Sequence, residues 1–314
     1  MSQPTEQQPI RQSGPVTLDA IADQSGVFAI VAMDQRNTLR RMFASVGRAD
    51  ATDAEFRAAK VEVASALAPI ASGFLLDPTW GVPAVTEAGA LPPDRGLLVA
   101  AEPAERGNFN GEPHAHRIPE QNAAWVRGLG GHAVKFLVQL RPDRPRAPGT
   151  PDLVADVLNV VREVVEDCRA HGVPSVVENI VYRLPGEDEL TPAHREDMIV
   201  ESARLLAETG PDLLKLEYPG SAKGCRRIAD VVAGPWAVLS AGVAFEEFSR
   251  VLRVACDDGG ASGFIAGRSI WKESVGLTGR ARTEFLNTVA TERLAELVAA
   301  VDGRARPWKE AVSA

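Results

Sequence analysis

Asp212-Leu213-Leu214-Lys215-Leu216-Glu217-Tyr218-Pro219 sets a lysine in the middle of a short apolar run closed by proline. A run of this length between turn-forming residues predicts a buried β-strand. Alternate strand residues point to opposite faces, so Lys215 and Glu217 share one face while Leu214 and Leu216 pack toward helices on the other. An ammonium in that setting is costly unless it is paired or used.

Seven further runs of the same kind surround it. Phe28–Met33, Gly73–Leu76, Gly96–Ala101, Ala133–Leu140 and Ser175–Val181 come before, with Trp236–Val243 and Gly263–Ala266 after. Helix-period segments separate most of them: Asp53–Leu67, Pro151–Cys168, Glu196–Glu208, Phe245–Cys256 and, at the end, Arg280–Val301. Strand alternating with helix eight times over about 250 residues predicts an α/β fold, a single-domain (β/α)8 TIM barrel. A doubly wound sheet is the competitor, but no GxGxxG follows the first strand, where a dinucleotide-binding domain would carry it. Residues 1–14 read as a disordered polar tail, and 15–314 as the barrel with a C-terminal helical extension.

Each strand also carries a polar residue near its end or middle: Asp34, Asp77, Glu102, Lys135, Glu178, Lys215, Ser240 and Arg268. One such residue alone is more often a helix cap. Eight of them in a barrel are expected to converge on the mouth at the C-terminal ends of the strands.

Lys135, in Ala133-Val134-Lys135-Phe136-Leu137-Val138, is a second lysine inside an apolar strand, and Glu178 lies on the strand between the two. Desolvation and a like-charged neighbour both lower a lysine pKa, which frees an amine to act as a nucleophile. Glu178 can accept a proton and shuttle it during carbinolamine dehydration. The set fits Schiff-base chemistry on a carbonyl. A zinc-dependent reaction would need about three His or carboxylate ligands. His114-Ala115-His116 is the one suggestive histidine pair, and its Gly/Asn/Pro-rich surroundings predict a solvated loop rather than a metal site.

Strand 7 ends Leu239-Ser240-Ala241-Gly242-Val243 and strand 8 ends Ala266-Gly267-Arg268-Ser269. Small residues, a helix N-terminus and one arginine after strands 7 and 8 make an anion site, here expected to hold phosphate.

The formal charge of −8, with basic residues dispersed, argues against a nucleic-acid or anionic-membrane partner. No apolar run approaches the ~20 residues of a membrane span. Cys168, Cys225 and Cys256 are far apart and show no metal-like spacing, so reduced thiols in a cytoplasm are expected.

Met33-Asp34-Gln35-Arg36, Val134-Lys135-Phe136-Leu137, Leu214-Lys215-Leu216-Glu217, Leu239–Val243 and Ala266-Gly267-Arg268 occur in one order. As a set, from about Leu18 to the end of the chain, they resemble the family of tagatose 1,6-bisphosphate and sulfofructose-phosphate aldolases. The resemblance implies a barrel with no metal or other cofactor and retro-aldol cleavage of a ketose 1-phosphate to dihydroxyacetone phosphate and an aldehyde. It implies Lys215 as the Schiff-base lysine, Glu178 as the acid/base and Lys135 as the second active-site lysine. By the same resemblance Asp34, Gln35 and Arg36 meet the substrate, and Ser240, Gly242, Gly267 and Arg268 grip its phosphate. Gly26–Gly47, Cys168–Val181 and Gly260–Leu277 look closer to the sulfosugar type; Trp125 and Pro307-Trp308-Lys309-Glu310 look closer to the tagatose type. A phosphorylated keto sugar is the expected partner, and barrels of this type often assemble as homo-oligomers. The alternatives are another Schiff-base lyase or transferase, or an inactive phosphosugar sensor on the same barrel.

Overall fold

The computed structural model describes residues 14–313, and residues 1–13 of the expected tail lie outside it. Along the chain run β1 (Phe28–Met33), α1 (Asn37–Ser45), α2 (Asp53–Leu67), β2 (Gly73–Leu76), α3 (Gly81–Glu87) and β3 (Gly96–Ala100). A small antiparallel hairpin, β4 (Gly107–Phe109) and β5 (Glu112–His114), then precedes α4 (Ala123–Gly128), β6 (Ala133–Val138), α5 (Leu153–His171) and β7 (Ser175–Asn179). The second half holds α6 (Pro192–Ala207), β8 (Leu213–Leu216), α7 (Ala222–Val231), β9 (Trp236–Leu239), α8 (Phe245–Gly259) and β10 (Gly263–Ala266). It ends with α9 (Arg268–Trp271), α10 (Gly279–Phe285), α11 (Thr291–Val301) and α12 (Trp308–Val312).

The eight expected strands close a parallel barrel in the order β1-β10-β9-β8-β7-β6-β3-β2. Register places Glu178 opposite both Lys215 and Leu137, and Lys135 opposite Ala100 and Val176. The inner layer is Phe28, Ile30, Ala32, Leu75, Leu98, Ala100, Ala133, Val176, Leu213, Ala237 and Ile265, all buried. Alternation carries Asp34, Glu102, Lys135, Glu178 and Lys215 onto the same inner face one pleat further along. Four alanines in the layer below leave volume for long lysine stems. The outer faces, with Leu214 and Leu216 among them, pack against the helices as the sequence predicts.

Strand bounds are tighter than predicted where the apolar run continues into a loop, as at 139–140 and 240–243. The predicted Arg280–Val301 helix is α10 and α11 joined by a π-helical turn, Leu286–Ala290. The elements that sequence patterning omitted are short ones, among them the hairpin, α3, α4, α9 and α12, together with the amphipathic α1 and α7. Among the described residues no helix is long and apolar enough to cross a membrane.

Candidate active site

Seven of the eight polar strand-end residues line one cleft of about 620 Å³ at the C-terminal mouth, a size suited to a small ligand. Asp77 is the exception, and the expectation that all eight converge is corrected. β2 stops at Leu76, and Asp77 caps the following helix through the Thr79 and Trp80 amides at 3.0 and 2.8 Å. Its carboxylate also pairs with Lys60, 2.6 Å away.

At the centre, one oxygen of Glu178 lies 2.8 Å from the Lys135 ammonium and 2.9 Å from that of Lys215. Lys135 also reaches Asp34 at 2.7 Å and Glu102 at 2.8 Å. Lys135 and Lys215 are only 1% and 4% exposed, so these contacts act with little screening by water. Three N–H donors on Lys135 meet three carboxylates, which satisfies its full capacity.

The electrostatic outcome differs from the expectation for Lys135. Burial alone would lower its pKa, but Asp34, Glu102 and Glu178 together hold it well above the ordinary lysine value. It stays an ammonium. Burial works to raise the pKa of Asp34 and of Glu178, yet the two lysines outweigh it and both carboxyls lie below their usual range. Glu217, two residues after Lys215, is raised by burial. It accepts from the Val181 amide at 2.8 Å and pairs with Arg195.

Gln35 and Arg36 both line the cleft. The Gln35 amide nitrogen is 3.3 Å from Asp34, while its buried Oε1 has no partner and is left to accept a donor from a ligand. Arg36 donates to the Glu102 carbonyl at 2.9 Å.

The expected phosphate end is compact. Ala241 and Gly242 have φ of 50° and 85°, a turn that glycine takes without strain. A Cβ on Gly242 would lie 3.1 Å from Arg268 Cζ, so the guanidinium rests against the glycine. Arg268 donates to the Ala241 carbonyl at 3.1 Å, and Ser240 and Gly267 complete the wall. Gly267 has no room for a Cβ, which would strike the Ala32 carbonyl. α8 starts directly after this turn with no side chain capping its first amides, an arrangement that favours an anion.

Sequence reasoning noted Glu102 but gave it no role, and it did not single out Arg41 and Arg106. Both arginines line the cleft with Arg36. Arg41 was hidden because α1 was not recognised, and Arg106 because it sits in the irregular excursion after β3. His114 contacts Asp156 at 3.1 Å, and among the described residues no group of three or more His, Cys, Asp or Glu could hold a metal.

Comparison with known proteins bears on the fold and the family. The tagatose 1,6-diphosphate aldolase of Lactococcus lactis subsp. lactis is 27% identical, with 94% of this chain and 97% of that one covered. Among solved structures, the fructose-bisphosphate aldolase of Plasmodium falciparum aligns with a TM-score of 0.67 at 12% identity, over 92% of this chain and 94% of that one. A Schiff-base-forming fructose-1,6-bisphosphate aldolase aligns with a TM-score of 0.58 at 17% identity, over 86% and 95%. The family model of the DeoC/LacD aldolases matches residues 28–273, from the first barrel strand to just beyond the last. The chain belongs to the DeoC/LacD family of aldolases and is a carbon–carbon lyase.

Proposed function

We propose that this protein is a class I aldolase, in which Lys215 forms a Schiff base with C2 of a ketose 1-phosphate and cleavage releases dihydroxyacetone phosphate and an aldehyde. The carrying observation is the unequal treatment of two buried lysines that share one carboxylate. Lys135 is gripped by three carboxylates, whereas among the described residues Glu178 is the one carboxylate that pairs with Lys215. The amine that must give up a proton to attack a carbonyl is best the one held by fewest anions.

Glu178 takes the proton from the attacking amine and returns it to the carbinolamine hydroxyl, which leaves as water. The resulting iminium withdraws electrons while Glu178 removes the proton from the C4 hydroxyl. The C3–C4 bond then breaks, and its electron pair forms the enamine. Protonation at C3 and hydrolysis restore the free lysine. Lys135, fixed as a cation, stabilises oxygen anions as they develop, and Asp34 holds it in place. No step calls on a metal. Arg268 and the Ser240–Gly242 turn suit the C1 phosphate, and Gln35 suits a sugar hydroxyl.

Arg36, Arg41 and Arg106, which line the same cleft, suit a second anion at C6. The relatives' named substrate makes tagatose 1,6-bisphosphate the first to try. A sulfonate is also a tetrahedral anion, so 6-deoxy-6-sulfofructose 1-phosphate is the second reading. A cytoplasmic setting is supported by three cysteines that are all free and buried.

The test is direct. Each sugar, and fructose 1,6-bisphosphate, is incubated with the protein and EDTA, and dihydroxyacetone phosphate is followed by coupled NADH oxidation. Release from at least one sugar, unaffected by EDTA, is the expected result. No release from any of the three would overturn the proposal.

A further inference from the structure

Lys60 sits on α2, behind β1, and is 0% exposed. Its ammonium meets three acceptors: Asp77 Oδ2 at 2.6 Å, the Met33 carbonyl at 2.5 Å and the Gln35 carbonyl at 3.0 Å. The two carbonyls flank Asp34. Asp77 accepts in addition from the Thr79, Trp80 and Gly81 amides. One buried ion pair thus joins the end of β1, the end of β2 and the start of α3.

Such a pair is a poor stability device, because well-packed apolar residues of the same volume stabilise as much or more. The local backbone shows what else it does. The β1 ladder ends at Val31 opposite Ala266 and at Met33 opposite Leu76, so residues 34–36 have no strand neighbour. Besides the Asp34 carboxylate on Lys135 and the Arg36 side chain on Glu102, the Lys60 clamp is, among the described residues, what ties the backbone of this segment to the barrel. The segment carries Asp34 and Gln35 into the cleft, whereas Lys60 does not line it.

We propose that Lys60 is a positioning residue for the reaction: by clamping the carbonyls on either side of Asp34, it fixes the Asp34 carboxylate against Lys135. Asp77 holds Lys60 in place and caps α3. Loss of the clamp lets Asp34 drift, and a misplacement of about 1 Å costs on the order of 100-fold in rate.

The inference uses the aldolase reading only for its kinetic readout, so the test has a second readout that needs no substrate. Lys60→Met, Asp77→Asn and the double variant Lys60→Met/Asp77→Asn are compared with the unaltered protein. Asp77→Asn leaves Lys60 able to donate to both carbonyls, so it is expected to lose stability and keep kcat. The double variant removes the unpaired charge, while the side-chain amide oxygen introduced by Asp77→Asn still accepts from the capped amides. It is expected to regain stability, to lose on the order of 100-fold in kcat and to keep KM. A purely structural pair would make activity follow stability in all three. A double variant with unaltered kcat, or Asp77→Asn as slow as the double variant, overturns the proposal. The crystal structure of the double variant is expected to show Asp34 out of hydrogen-bond reach of Lys135. An intact 2.7 Å contact there overturns the clamp even if no sugar is turned over.

Discussion

Replacing Lys135 with methionine keeps the stem's volume and deletes the cation shared by Asp34, Glu102 and Glu178, at 2.7, 2.8 and 2.8 Å. Removing one partner of a buried ion pair costs roughly 3–5 kcal/mol, because the other charges remain buried without compensation. For a chain of this length that is a fall of roughly 5–8 °C in Tm at pH 8. The pH dependence is the sharper signature. In the unaltered protein Asp34 and Glu178 titrate below their unfolded values, so the stability they contribute is present above about pH 4 and is lost as pH falls through the folded values. In the variant, the upward push of burial on both carboxyls is no longer opposed by Lys135. Lys215 still draws both carboxyls down, but less than the two lysines together, so in the variant they take up protons at a higher pH than in the unaltered protein and less stability is lost as pH falls. Urea unfolding of both proteins at pH 8 and pH 5 measures the gap, which should narrow at the lower pH. A gap below about 1 kcal/mol at pH 8, the value of an exposed pair, would refute the reasoning. So would a gap that does not change with pH.

Glu178→Gln keeps the shape but can neither take nor return a proton. It should lower kcat by about 100-fold or more while Lys215 remains trappable by borohydride, though slowly; kcat within a factor of a few of the unaltered enzyme would remove Glu178 from proton transfer. Arg268→Ala should raise KM for a ketose 1-phosphate by one to two orders of magnitude, from the loss of about 1.5–3 kcal/mol of charge-assisted hydrogen bonding, with a smaller effect on kcat; an unchanged KM places the C1 phosphate elsewhere. Gly242→Ala, with φ at 85° and the Arg268 guanidinium 3.1 Å from the new Cβ, should destabilise by about 1 kcal/mol or more and raise KM in the same direction as Arg268→Ala. Steady-state kinetics and thermal unfolding check both.

The barrel was legible because its strands are continuous apolar runs at regular intervals, interrupted by charges that only a site could use. Lys135, Glu178 and Lys215 stood out for the same reason: each sets a charge inside an apolar run, where it is costly unless paired or used. Asp77 broke its strand in the same way and yet faces Lys60, because a carboxylate one residue beyond a strand can cap the next helix as readily as enter a cleft. Periodicity could not separate the two. The raised pKa of Lys135 was hidden as well, since it depends on three carboxylates from three other strands meeting one amine. The short helices α3, α4 and α9 span too few turns to give a period, and Arg41 and Arg106 were lost with the irregular segments around them. Lys60 lay unremarked in a predicted helix, where a lysine is ordinarily a solvated residue.

The most direct test of the Schiff-base assignment is borohydride reduction in the presence of dihydroxyacetone phosphate, followed by intact and peptide mass spectrometry. A single adduct on the peptide carrying Lys215, absent from Lys215→Met, is the predicted result. An adduct on Lys135, or none on a folded protein, would contradict it.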